Sequence, residues 1–161
     1  MFIPDSLIAT SEILKRYKIS EGDEVFFSGL FTSHPGQKKN QPIVRFGRVA
    51  LMSDEKIEWR EKDKAAKFLD LYLVECQSFG GNSGSPVFFS ISAGRDLPDN
   101  LRLVSVAPPS LFLAGIMKGT YLSANELEMK DTSKIPFSIE NIGIAAVTPS
   151  YFLNDILLGK E

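Results

Sequence analysis

The chain is poor in the residues that most often carry chemistry. Its 161 residues include one cysteine, one histidine and one tryptophan. The single cysteine, Cys76, excludes an internal disulfide. One cysteine and one histidine do not supply the clustered ligands of a metal site, and no cofactor is implied. Charge of one sign is not in excess: 18 Lys and Arg stand against 20 Asp and Glu, a net charge of −2. That balance gives no broad cationic surface, and nucleic acid is not an expected partner. No apolar run reaches the roughly 18 residues of a membrane-spanning helix, so no membrane association is expected. The start, Met1-Phe2-Ile3-Pro4-Asp5, has neither a basic flank nor a long apolar stretch, so no signal peptide is read there. Together these absences point to a reducing, cytoplasmic setting.

Long helical periodicities are also scarce. Phenylalanine is frequent (12 residues), and 43% of the chain is hydrophobic. This supports one sizeable core in an all-β domain. Residues 10–18 read as a short helix capped by Thr10 or Ser11, with Glu12 in its first turn and bases in its last. Strands are expected over 24–31, 42–51, 68–75, 86–91, 101–106, 111–117 and 142–147, from alternating or continuous apolar patterns. Residues 53–67 read as a charged loop or hairpin tip, and 120–139 as polar and irregular. Thr148 and Pro149 predict the start of a last helix that packs Phe152, Leu153 and Ile156 on the barrel. No repeat or linker divides the chain, so residues 1–161 form one domain.

The most specific stretch is Phe79-Gly80-Gly81-Asn82-Ser83-Gly84-Ser85-Pro86, followed by Val87-Phe88-Phe89. Gly81 and Gly84 let the backbone turn sharply on either side of Ser83. Such a turn aims the amides of Gly81 and Ser83 at one point, as an oxyanion hole requires. Pro86 then opens a strand, where its missing N–H does little harm.

These residues resemble the nucleophile loop of the trypsin/chymotrypsin-like serine peptidases, in the Gly-Asn-Ser-Gly-Ser-Pro form common in bacterial branches. The resemblance implies a six-stranded antiparallel Greek-key barrel, the C-terminal half of the family's double barrel, here with a short N-terminal and a C-terminal helix. It implies a serine-type endopeptidase function on a polypeptide substrate. Ser83 would be the catalytic nucleophile, with Gly81 and Ser83 forming the oxyanion hole. Gln77 and Ser78 would lie at the substrate pocket, with Lys118 and Gly119 on its opposite wall. Asn82 replaces the Asp that pairs with a new N-terminus in trypsins, so activation by that ion pair is not expected.

The family takes its catalytic His and Asp from an N-terminal barrel, and no such motif stands here. The resemblance therefore implies a chain lacking that barrel, with a complementary N-terminal barrel as a partner and little activity on its own. His34, the only histidine, lies in His-Pro-Gly, a turn sequence, and not in the family's histidine motif. The alternative reading is a non-catalytic peptide-binding or interaction module, or a decayed peptidase fragment. Cys76 reads as a buried structural thiol. Arg45, Arg48, Lys38 and Lys39 read as a solvated strand edge. Trp59 is read either as packing over the barrel mouth or as a partner contact.

Overall fold

Alternation of inward and outward side chains, not any helical period, organises this chain. The computed structural model describes residues 3–31, 36–61, 64–77, 81–91, 110–126 and 137–159. After a 3-10 turn at Asp5–Leu7 come α1 (Ser11–Arg16), β1 (Glu24–Leu30), β2 (Pro42–Met52), β3 (Ile57–Trp59) and β4 (Lys67–Leu69). Then follow β5 (Tyr72–Cys76), β6 (Pro86–Ile91), β7 (Ser110–Glu126), β8 (Phe137–Pro149) and α2 (Tyr151–Leu158).

Six strands close into an antiparallel barrel in the order β1-β2-β5-β8-β7-β6, and β3 and β4 pair as a separate hairpin. The spatial run β6-β1-β2-β5 is a Greek key: β6 returns by a long connection to lie beside β1. Closure pairs both sides of the barrel strands and removes the open edges of a flat sheet. Inward positions recur every second residue. Val25 and Phe27, Tyr72 and Val74, and Val87, Phe89 and Ile91 fill the interior. Phe112, Ala145 and Val147 complete it from β7 and β8.

The segments around α1 and α2 close one side. The Thr10 hydroxyl accepts from the Ile13 amide at 3.4 Å, the expected cap of α1. The Ala9 amide donates to the Leu113 carbonyl, and the Tyr17 ring lies 4.7 Å from that of Phe112. The buried Ser150 hydroxyl donates to the same Leu113 carbonyl at 2.6 Å. One carbonyl of β7 thus ties both ends of the described chain.

Several expectations are corrected. β8 runs through Thr148 and Pro149, so the last helix starts after them, at Tyr151 with Ser150 as its N-cap residue. Among the described side chains Tyr151 packs on the core and Leu153 is half-buried, while Ile156 is 76% exposed and Phe152 and Leu157 are also exposed. Residues 120–126 and 137–139, read as irregular, are strand. Their ladder with one another runs from Leu122↔Asn141 to Glu126↔Phe137. The charged segment 53–67, read as a loop or hairpin tip, is the hairpin: it holds β3 and the first residue of β4. Arg45 and Arg48 do not share an edge: Arg45 shares the inward parity of Val49, and Arg48 points outward. The strand expected at 101–106 lies outside the described residues.

Candidate functional site

The serine turn is built from its glycines. Gly81 has φ 100° and Gly84 has φ 87°, left-handed values that side-chain-bearing residues rarely adopt. Between them Asn82 and Ser83 form the turn, closed by the Ser85 amide donating to the Asn82 carbonyl at 3.1 Å. Asn82 is buried and Ser83 is exposed. The buried Asn82 side chain lies against β1 at Gly29. A Cβ there would stand 2.5 Å from Asn82 Oδ1 and 2.8 Å from Ser85 Oγ. Gly29 therefore makes the seat on which the turn rests.

A second anchor comes from β7. The Gly84 amide donates to the Met117 carbonyl at 2.8 Å, and the Met117 amide donates to the Ser85 carbonyl at 2.9 Å. For the Gly81 and Ser83 amides, in contrast, no acceptor is found among the described residues. These two backbone donors stand next to the exposed Ser83.

Past Met117, where the sequence pattern ends the strand, β7 continues through Lys118 and Gly119. The β7–β8 register skips between Met117 and Gly119, which makes Lys118 the extra residue of a bulge. Its ammonium lies 5.4 Å above the Trp59 ring and 3.8 Å from Glu61. Gly119 lets that ring approach the strand: a Cβ there would stand 3.0 Å from it. Tyr121 meets Trp59 edge-on at 5.3 Å and donates its hydroxyl to the Glu58 carbonyl. The β3–β4 hairpin is thereby clamped to β7 just beyond the serine turn. From the sequence, Trp59 fits either a packing or a partner role. The structure buries it on Gly119. The alternation Ile57-Glu58-Trp59 was the available signal.

The ladder between β6 and β7 ends at Pro86↔Ile116. Beyond Met117, β7 pairs with β8 alone among the described residues. Among the described residues no strand pairs with its other side from Lys118 onward, a stretch that begins at the serine turn.

Gln77 continues β5 past the Glu75↔Ile144 pair, on the far side of β8 from Lys118. Its carbonyl accepts from Arg45 Nη1 at 3.0 Å. A hollow of about 450 Å³ there is lined by Gly47, Arg48, Glu75, Cys76, Gln77 and Gly143. Burial pushes the Cys76 thiol up to about 11, against the opposing pull of the Arg45 charge. The thiol is free and buried, not a nucleophile at neutral pH. Ser78 and His34 lie outside the described residues. Among the described residues no group of three His, Cys, Asp or Glu side chains is placed to hold a metal ion. No described helix is long and apolar enough to cross a membrane.

Compared with protein-family models, with curated proteins and with solved structures, the chain matches none.

Proposed function

We propose that this chain is a polypeptide-binding barrel of serine-peptidase type, which holds an extended peptide along β7 past Met117. The observation that carries the reading is the pair of amides, Gly81 and Ser83, with no acceptor among the described residues, on a turn hydrogen-bonded to Met117. A peptide carbonyl accepts from those amides, and the peptide backbone then continues as an added strand beside Lys118 and Gly119. The resemblance of Gly81-Asn82-Ser83-Gly84-Ser85-Pro86 to a nucleophile loop supports the same placement.

In this reading Ser83 has the position of a nucleophile without its activating base. A serine hydroxyl is weak until a neighbouring group takes its proton. The residual advantage of a site with binding and an oxyanion hole but no intact triad is about 10³–10⁴-fold over water, far below that of a complete peptidase. Hydrolysis therefore waits on a His and Asp from a complementary barrel, and binding is the activity of the chain itself.

Trp59 is the only tryptophan, so its emission reports on the β7 edge without labelling. Titration with an unstructured, mixed-sequence peptide is expected to shift that emission saturably. The strained substitution Gly81→Ala weakens the effect by about tenfold or more, equivalent to about 1.4 kcal/mol. Fluorophosphonate labelling, with Ser83→Ala as control, is expected to be slow. Absence of any saturable shift overturns the binding reading. Rapid labelling that depends on Ser83 replaces it with an intact peptidase.

A further inference from the structure

The outer face of β1, β2 and β6 carries an aromatic row that the closed barrel does not cover. Phe26 pairs across the ladder with Phe46 on one side and Phe88 on the other. The rings form a continuous row: Phe26 stacks on Phe88 at 5.2 Å and meets Phe46 at a tilt at 6.4 Å. Phe46 is 76% exposed, and Val44, two residues along, is 55% exposed. Adjacent apolar side chains this open on one face mark a contact surface and not the scatter of a normal exterior.

The row beside it holds charge of both signs. Glu24 pairs with Arg48, and their side chains lie 3.8 Å apart in the open. A partner with charge of a single sign would repel one of the two. A second copy of the chain carries both.

We propose that this face joins two copies of the chain about a two-fold axis that runs along the strands between β1 and β2. The register fixes what such an axis brings together. It lays each β1 residue of one copy on the β2 counterpart of the other: Glu24 on Arg48, Phe26 on Phe46, Ser28 on Val44. Acid meets base, ring meets ring, and every contact occurs twice, as an isologous interface requires. A hollow of about 420 Å³ between Phe46 and the Glu24–Arg48 pair gives the facing side chains room to interdigitate. The aromatic centre and charged margin match the composition of interface cores and rims. This inference does not depend on peptide binding, because the face lies on strands other than β7.

Sedimentation velocity between about 1 and 100 µM tests it, a range that spans micromolar association. The intact chain is expected to pass from monomer to dimer. Phe46→Ser is expected to weaken association about tenfold or more, as loss of a central aromatic does. Arg48→Glu and Glu24→Arg each weaken it, and the double exchange restores it. Ile156→Ser, equally exposed but on α2, leaves it unchanged. All these positions are at the surface, and unaltered thermal unfolding checks that each variant folds. A chain that stays monomeric throughout overturns the proposal and leaves the face to another occupant, such as a complementary barrel. So does dimerisation that survives Phe46→Ser, fails to recover in the double exchange, or is lost with Ile156→Ser.

Discussion

Gly29 decides where the serine turn rests. A methyl group at that position meets Asn82 and Ser85 at 2.5 and 2.8 Å, so Gly29→Ala must push the turn off β1. Overpacking of this kind costs about 1–3 kcal/mol, read as a lower urea midpoint, and peptide binding is expected to weaken with it. Ser150 is a separate test at the same scale. Its buried hydroxyl gives the Leu113 carbonyl a second donor, beside the Ala9 amide, at 2.6 Å, and Ser150→Ala is expected to cost about 0.5–1.5 kcal/mol. Cys76 sets an alkaline limit. Burial raises its folded value from the ordinary 9.0 to about 11, and burial raises the Tyr72 phenol above its own ordinary value as well. The unfolded chain ionises first, so the stability held by the neutral thiol is complete below pH 9.0 and is lost as pH rises through about 11. Urea midpoints measured across that window are expected to fall, and Cys76→Ala is expected to reduce the slope.

The β3–β4 hairpin is the element that sequence pattern disclosed least. Its strands are three residues each, set among Asp54, Glu55, Lys56, Arg60 and Glu61, so charge masks the alternation. Its hold on the barrel comes from Trp59 packed on Gly119 and between Tyr121 and Lys118. Trp59→Ala is expected to cost about 3 kcal/mol, the lower end for an aromatic truncation, in circular-dichroism urea curves. Other elements were legible because burial imposes a period. Val25 and Phe27, and Val87 and Phe89, show inward parity on their face, and Gly81 with Gly84 marks the turn at Ser83. The extension of β7 past Met117 was not legible. Lys118-Gly119-Thr120 has no apolar alternation, and that part of the strand is held by its ladder to β8. Nor was the seat of α2, where Phe152 and Ile156 share an apolar spacing yet Tyr151 makes the contact. Spacing gives a face, and only the end of β8 decides which way that face turns. Arg45 follows the same logic: its inward direction depends on parity within β2, which its neighbours Val44 and Phe46 do not reveal.

At the scale of the whole molecule, closure of six strands leaves few places for a partner backbone. One side of β7 is such a place among the described residues, because β6 leaves it at Ile116 while β8 continues beside it. The serine turn stands at the start of that stretch, with two donors that have no acceptor among the described residues. The aromatic face on β1, β2 and β6 is a different surface with a different chemistry. A barrel with both can bind a peptide at one and associate through the other. The central claim is that an extended peptide lies along β7 with a carbonyl on the serine turn. Amide NMR spectra of the uniformly labelled chain, recorded through a peptide titration, test it most directly. The account predicts that the Gly81 and Ser83 amides move downfield as they gain an acceptor, with the amides of residues 118–121 moving in the same saturable step. Saturable shifts confined to other strands, or no shift at Gly81 and Ser83 at saturation, would contradict it.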